Sequence, residues 1–302
     1  MDFRRPLPVA LPRAFSVREA YLNGMSRSQL RNAALVRPFH GARFAPRIDP
    51  ELIDQCHAFS ARMPRGAIFS HVTAARLHGM PLPIEFDDGP LHVMSPAGVR
   101  ATKARGTVGH CATLGASDVT ERQGIRLTTP ERTWCDLAAI LNFSDLVAAG
   151  DSLLWWEQPL TTMERLLEAA QRYPSQRGRS RMQLALGSLS PRSRSRPESI
   201  VRLALTASVL PEPVPNFEVY LPLSRREIAI DLAYPKYKVG LEYQGDHHRL
   251  DRRQWRRDVR RGNDAVDAGW SMIYFTGDDL VDLPDIVART ERRLRSRGWP
   301  VA

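Results

Sequence analysis

The chain has 302 residues, and its 43 lysine and arginine residues against 33 aspartate and glutamate residues give a formal net charge of +10. This length corresponds to about two domains, and a content of 43% hydrophobic and 25% charged residues excludes an intrinsically disordered chain. Prolines interrupt the N-terminal apolar run and aspartates interrupt the most apolar stretch. We therefore expect no signal peptide, no membrane partner and a cytoplasmic location. The basic excess suggests a polyanionic partner.

Two short helices are predicted at 16–22 and 27–35, with the spacing of a helix-turn-helix. Ser26 and Gln29 form an S-x-x-Q capping box at the start of the second helix. The stretch 36–44 predicts a small hairpin, or wing. On this interpretation the second helix presents four side chains that contact phosphates or base edges: Arg27, Gln29, Arg31 and Asn32. An ordinary helical hairpin with a solvated polar face is the alternative.

Two short motifs in this region, G-x-S-x-x-Q-L at 24–30 and R-P-F-H-G at 37–41, carry a family resemblance. They resemble the N-terminal winged-helix domain of AbiEi-type antitoxins from type IV toxin–antitoxin systems, over about residues 14–50. The resemblance implies a DNA-binding winged helix-turn-helix module, to which we assign residues 1–55.

Residues 56–171 predict a mixed α/β middle region. Helices are expected at 70–78, 130–141 and 161–171, and short strands at 91–94 and 106–110. Four of the histidines in this region lack the spacing of metal ligands, and we interpret each of them as structural or solvated: His71, His78, His92 and His110.

The positive charge of the second half is concentrated in two basic islands. Residues 172–202 contain eight arginines and Glu198 as their acidic residue, and residues 249–261 contain seven arginines and two aspartates. The stretch between the islands is net acidic. Within the first island, residues 172–197 have the serine, arginine and proline composition of a linker, which predicts a domain boundary.

A helix beginning at Ser195 and three strands at 217–221, 227–233 and 239–244 are predicted after this linker. Alternation places three apolar side chains on one face of the second strand: Ile228, Ile230 and Leu232. The polar faces of the second and third strands carry Asp231, Glu242 and Gln244. A carboxylate inside an apolar strand is costly unless it is paired or bound to a cation, and carboxylates on adjoining strands repel each other. A divalent cation such as Mg²⁺ resolves both problems.

The order helix, three strands, helix and strand resembles the PD-(D/E)xK nuclease superfamily. The spaced motifs are more closely similar to the endonuclease-like domains related to the very-short-patch repair endonuclease: P-E-S-x-x-R at 197–202, I-D-L-A-Y-P at 230–235, G-L-E-Y-Q-G-x-x-H at 240–248 and R-D-x-x-R at 257–261, with a strand after Gly269-Trp270. The resemblance implies a nuclease domain over 198–302 with a restriction-endonuclease-like αβββαβ core. We therefore expect an α/β (α+β) chain in which this core follows the winged helix and the mixed α/β region.

The resemblance also implies site residues. Asp231 and Glu242 would hold the metal ion, with the backbone carbonyl of Tyr243 as a further ligand. Gln244 stands where the superfamily pattern has lysine, and a glutamine orients a water molecule but carries no positive charge. His248 matches a family histidine that donates to the leaving oxygen or holds the scissile phosphate.

Glu198 has two interpretations that the sequence leaves open. With Ser195 it completes an S-x-x-E capping box, and by the family pattern it belongs to the site. On the helix predicted at 251–267, Asp258 leans toward the sheet and either joins the site or pairs with an arginine of its own helix. Arginines of the two islands would hold the flanking phosphates: Arg202, Arg257 and Arg261.

Together these features predict a DNA endonuclease that uses Mg²⁺ or Mn²⁺ to hydrolyse phosphodiester bonds and is targeted by its N-terminal module. The alternative is an antitoxin-like transcriptional regulator whose nuclease fold has lost catalysis and serves DNA binding or dimerisation. A homodimer and a cognate toxin are the further partners that this alternative implies.

Overall fold

The structure is a computed structural model that describes residues 14–32, 35–37, 41–44, 51–221, 225–245 and 262–300. It is an α+β fold with several mixed or antiparallel sheets, which confirms the predicted fold class. Within these residues, no helix combines the length and the hydropathy that crossing a bilayer requires.

The chain forms two compact units, and neither is a continuous segment. Unit 1 comprises Met1–Ile140 and Arg165–Gly178, and unit 2 comprises Leu141–Glu164 and Arg179–Ala302. The segment 172–197, predicted to be a linker, is folded instead. It contains a helix at Arg179–Leu186, and the side chain of Ser193 is fully buried. Composition was misleading here because its serines and arginines make internal hydrogen bonds, as described below.

Unit 1 begins with two short helices, α1 (Val17–Leu22) and α2 (Arg27–Leu30), and two strands, β1 (Ala14–Ser16) and β2 (Ala42–Phe44). The predicted capping box is confirmed, since the Ser26 and Gln29 side chains each accept from the other's backbone N–H, at 3.3 and 2.8 Å. The helix ends at Leu30, earlier than predicted. β2 pairs with β1, and Phe44 also forms an isolated antiparallel bridge with Val36.

A five-stranded mixed sheet forms the centre of unit 1, in the order β5-β4-β3-β7-β6. Its strands are β3 (Ile68–Phe69), β4 (Leu91–Pro96), β5 (Thr107–Ala112), β6 (Val119–Arg122) and β7 (Ile125–Thr128). Parallel pairing joins β4 to β5 and β3 to β7. Three helices accompany the sheet: α3 (Leu52–Ser60), α4 (His71–His78) and α5 (Pro130–Leu137). The core between these elements is apolar, with Phe59, Phe69 and Leu127 fully or almost fully buried.

The next two helices belong by their contacts to different units. In unit 2, α6 (Phe143–Leu154) is buried along most of its length. Most of α7 (Met163–Arg172) lies in unit 1. The chain therefore leaves unit 1 after Ile140, returns at Arg165 and leaves again after Gly178.

The remaining elements of unit 2 are two helices, a run of strands and a final helix. In chain order they are α8 (Arg179–Leu186), α9 (Arg196–Thr206), β8 (Val214–Leu221), β9 (Arg226–Tyr234), β10 (Val239–Tyr243), β11 (Ser271–Phe275) and α10 (Leu283–Ser296). Residues 262–267 are helical. The sheet order is β11-β10-β9-β8, with β11 parallel to β10 and the other pairs antiparallel. From α9 onward the order is thus helix, three strands, helix and strand, as predicted.

Apolar side chains of this sheet belong to two separate clusters, and the side chains of β9 do not alternate regularly between them. Ile230 packs with Ala233 and Met272, whereas Leu232 packs with Leu241 in the other cluster. The prediction that Leu232 shares a face with Ile230 is therefore wrong. The alternation is interrupted at Asp231, next to the last backbone pair with β10, Leu241↔Leu232.

Paired charges join α6 to α9. Arg196 Nε donates to Asp145 Oδ1 at 2.7 Å, and Arg202 Nη2 donates to Asp151 Oδ2 at 2.8 Å. The carboxylate of Asp151 also accepts from the Ser190 N–H and from Ser199 Oγ, each at 2.7 Å. Burial raises the pKa of Asp151, and these donors oppose the rise. The two aspartates and two arginines therefore fix α9, and with it Glu198, against α6.

Candidate functional site

The candidate site lies in unit 2, where β9 and β10 stop pairing through their backbones. Beyond Leu241↔Leu232, the N–H of Tyr243 donates to Asp231 Oδ2 at 2.8 Å. A side-chain carboxylate thus occupies the position of the next backbone acceptor. Asp231 is partly exposed, so one carboxylate in the middle of the sheet is accessible from solvent.

Glu242 precedes Tyr243 on β10 and is 4% exposed. Continuing the antiparallel register by one residue sets Glu242 opposite Asp231. Gln244 follows the strand, and its N–H donates to the carbonyl of Phe275 on β11 at 2.8 Å. The three polar residues predicted on β9 and β10 therefore occupy neighbouring register positions at the end of one ladder.

Glu198 is brought to the same region by the N-terminal turn of α9. Its carboxylate accepts from Ser195 Oγ at 2.7 Å and from the Arg194 N–H at 2.9 Å, and Ser195 Oγ accepts from the Glu198 N–H. Burial, together with the nearby charge of Asp231, raises the pKa of Glu198 to about 7. Glu198 thus caps its helix and also lies within electrostatic reach of Asp231. The two interpretations left open by the sequence are compatible.

The donor set suits a hard divalent cation, since it consists of carboxylate oxygens that repel one another in its absence. Buried Glu198 is held close to a second carboxylate at a cost that a bound cation would offset. The carboxylates do not converge tightly, however. In the part of the chain that the structure describes, the three-residue group whose ligand atoms all lie within 4.8 Å of one another is His71, His92 and His110.

The sequence prediction treated these three histidines separately and did not bring them together. The linear spacing of His71, His92 and His110 does not resemble a metal-binding motif, but pairing of β4 with β5 sets His92 beside His110, and α4 begins with His71. His78 is different, because its Nε2 contacts the Thr128 carbonyl at 2.8 Å, a structural role that agrees with the prediction.

Arg202, predicted to hold a phosphate, is buried in unit 2. Arg202 is 7% exposed, and its guanidinium donates to Asp151, to Ser193 Oγ at 3.0 Å and to the Ser188 carbonyl at 2.9 Å. It is therefore not accessible to a phosphate, and its prediction as a nucleic-acid contact is wrong. Four predicted residues lie outside the described part of the chain: His248, Arg257, Asp258 and Arg261.

The residues predicted to contact DNA in unit 1 lie on and directly after α2. Arg27 and Arg31 are exposed, and Gln29 and Asn32 are partly exposed. The amide oxygen of Gln29 accepts from the Ser26 N–H, so this side chain is engaged in capping. Arg27 and Arg31 are therefore the two side chains of this set that offer an exposed positive charge.

No protein-family model and no curated protein sequence matches this chain. Among solved structures, the crystal structure of RV2827C protein from Mycobacterium tuberculosis is similar, with a TM-score of 0.40 and 17% sequence identity. The similarity covers 73% of this chain and 88% of that chain.

Proposed function

We propose that the protein is a cytoplasmic, metal-dependent DNA endonuclease whose site lies in unit 2, similar to the PD-(D/E)xK enzymes that the motifs resemble. One observation carries the proposal. Glu198 is buried beside the charge of Asp231, at the point where β9 and β10 separate and Glu242 is next in register. Burying one carboxylate beside the charge of another lowers the stability of the folded protein, so the arrangement is more easily explained by a functional site than by packing.

Asp231 and Glu242 are the proposed ligands of a Mg²⁺ or Mn²⁺ ion, with the carbonyl of Tyr243 beside them. When bound, the ion would supply Lewis-acid activation of a water molecule and neutralise charge at the phosphate. The N–H of Tyr243 holds Asp231 Oδ2 and so fixes the orientation of that carboxylate. Glu198, with its raised pKa, would accept a proton from the attacking water near neutral pH.

The proposed role of Gln244 is to orient the attacking water molecule. Its backbone is held by the carbonyl of Phe275, and its amide would hold the water in line with the phosphorus. We propose His248 and Asp258 as further members of the site, and Arg257 and Arg261 as phosphate contacts, from the family pattern. The accessible Arg27 and Arg31 would anchor DNA through unit 1.

The decisive experiment is cleavage of plasmid and linear DNA by the purified full chain, with Mg²⁺, with Mn²⁺ and with chelator. We expect metal-dependent cleavage and, for Asp231→Asn, a rate at least about a hundred-fold lower, the size expected when one group that stabilises transition-state charge is lost. Glu218→Gln, an exposed carboxylate on β8, is the matched control and should cleave like wild type. Equal cleavage by wild type and Asp231→Asn would overturn the assignment of the site.

A second function is favoured by Gln244 and by the N-terminal module. Gln244 supplies no positive charge where the superfamily pattern has lysine, and the confirmed capping box and exposed Arg27 suit a DNA-binding helix. An antitoxin-like regulator, homodimeric and paired with a toxin, would use the nuclease fold without cleavage. It would retard specific promoter DNA and leave it intact at every metal concentration.

A Gln244→Lys variant separates these two functions further. If wild type is an active nuclease, lysine at this position should raise its metal-dependent cleavage by at least about ten-fold, less than the full effect of one positioned group because Gln244 already orients the water. Cleavage that arises only in Gln244→Lys would instead identify the wild type as a nuclease fold that has lost catalysis. A Gln158→Lys variant in unit 2 controls for added charge. Retained DNA binding with no cleavage by either variant would favour the regulator.

A further inference from the structure

The three histidines of unit 1 form an unusual buried cluster. His71 and His92 are each 8% exposed, and His110 is partly exposed. His92 Nδ1 lies 3.0 Å from His110 Nε2, and the rings of His71 and His110 are stacked with centroids 3.6 Å apart. One ligand nitrogen from each of the three lies within 4.8 Å of the others.

These separations approach those of a metal site. Two nitrogens bound at about 2.0–2.1 Å to one tetrahedral zinc ion are about 3.3–3.4 Å apart. The 3.0 Å between His92 and His110 is close to that separation, and a ligand nitrogen of His71 lies within 4.8 Å of both.

A second observation, independent of the histidines, points to a missing cation. Asp136 is fully buried, and its Oδ1 accepts from Arg132 Nε and from Tyr173 Oη, each at 3.0 Å. Among the described residues its Oδ2 has no hydrogen-bond partner, and it lies 4.0 Å from His71 Nδ1. A buried carboxylate oxygen without a partner is rare in native proteins and commonly marks an absent water or ion. A carboxylate next to a ligating histidine is the usual outer-shell arrangement of zinc sites.

The net charge of the groups around the three histidines also favours a bound cation. Arg132 is paired with both Asp136 and Asp118, at 3.0 and 3.1 Å, so these three groups, with both carboxylates ionised, carry a net charge of −1 beside the histidines. The backbone at His71 adds a further sign, since φ is +48°, in the left-handed region that non-glycine residues seldom occupy. Such conformations concentrate at ligand-binding positions, where the surrounding fold holds them against their strain.

We propose that His71, His92 and His110 bind one Zn²⁺ ion, with Asp136 as an outer-shell partner and a fourth position open toward solvent beside His110. Three nitrogen ligands with an open position are typical of zinc ions that bind a water or an anionic ligand. The site is distinct from the carboxylates of unit 2, which offer hard oxygen donors and suit Mg²⁺.

The proposal is tested with Zn²⁺ itself. Full-length protein is stripped with a chelator and titrated with Zn²⁺ against a chromophoric zinc indicator, and Co²⁺ is then used as a spectroscopic substitute. We expect one tight site in wild type and in His57→Ala, an exposed histidine of the same unit. Affinity should fall by more than about a hundred-fold in His92→Ala and His110→Ala, because losing an outer-shell partner alone costs about 10–100-fold.

The titration is repeated in Asp231→Asn, since zinc also binds carboxylates. Retention of the tight site there assigns it to the histidines, and this outcome is independent of whether the protein cleaves DNA. X-ray absorption of zinc-loaded wild type supplies a readout that needs no variant, and three imidazoles around zinc are expected. No tight zinc binding by wild type, unchanged binding in a folded His110→Ala, or an oxygen-only ligand shell would each overturn the proposal and leave a hydrogen-bonded histidine trio.

Discussion

Replacing Arg202 by methionine is expected to destabilise unit 2 by about 3–5 kcal/mol, because it leaves a carboxylate buried without its ionic partner. Arg202 and Asp151 have side chains only 9% and 1% exposed, and their contact is 2.8 Å. Burial already raises the pKa of Asp151, and Arg202 is the first of the groups that oppose this rise. Methionine keeps an unbranched apolar stem and a similar helix propensity, so the loss reports mainly the missing guanidinium with its charge and hydrogen bonds.

Hydrogen–deuterium exchange checks this prediction, because it measures the free energy of opening of α6 and α9 separately from the rest of the chain. Arg295→Met is the matched control, since Arg295 forms an i,i+4 pair with Glu291 on α10 and its side chain is 44% exposed. Pairs of this kind contribute about 0.3–0.5 kcal/mol. Similar losses in the two variants would show that the buried pair does not hold α6 to α9.

Glu198→Gln is expected to stabilise unit 2 above neutral pH and to flatten the dependence of its stability on pH. Burial and the charge of Asp231 raise the pKa of Glu198 from 4.5 to about 7 in the folded protein. The folded state therefore retains a proton that the unfolded state has released. The stability from this proton is fully present below about pH 4.5 and is lost as pH rises through about 7, a loss of about 3 kcal/mol.

Urea unfolding of the metal-free protein at a series of pH values measures this difference. Wild type and Glu198→Gln should have similar stability at low pH and diverge toward pH 7, with the variant more stable. The neutral amide retains one acceptor for the hydrogen bonds of the helix cap, so the gain should fall short of the full amount. Glu218→Gln, at an exposed position, should follow wild type. Parallel curves for wild type and Glu198→Gln would contradict the raised pKa.

The fold of unit 2 was largely predictable because its elements are marked by local signals. Apolar spacing located α9, and alternating strands located β8 and β10. Capping residues also act over one turn, which is why the Ser26–Gln29 box was correct in detail. The length of α2 and the interruption of β9 at Asp231 depend on tertiary contacts, and neither has a local signal.

The sequence was less informative where function depends on residues far apart in the chain. His92 and His110 become neighbours only because β4 and β5 pair in parallel, and strand pairing cannot be read from histidine spacing. Arg202 was misassigned because an arginine-rich segment was interpreted by its charge alone. A usable signal existed in this case. Asp145 and Asp151 are six residues apart and interrupt an apolar stretch. Arg196 and Arg202 on α9 are also six residues apart, and each arginine pairs with the corresponding aspartate.

The pairing of α6 with α9 has a consequence for synthesis on the ribosome. Each of the two ion pairs spans 51 residues of chain. At about 5–20 residues per second, α6 is therefore made about 3–10 s before the arginines that neutralise its aspartates. Unit 1 can be complete once Gly178 has been added, whereas the sheet of unit 2 requires β11 near the C-terminus. Until α8 and α9 have been made, the nascent α6 lacks the helices that it contacts within unit 2, so it is a segment on which a ribosome-associated chaperone would act.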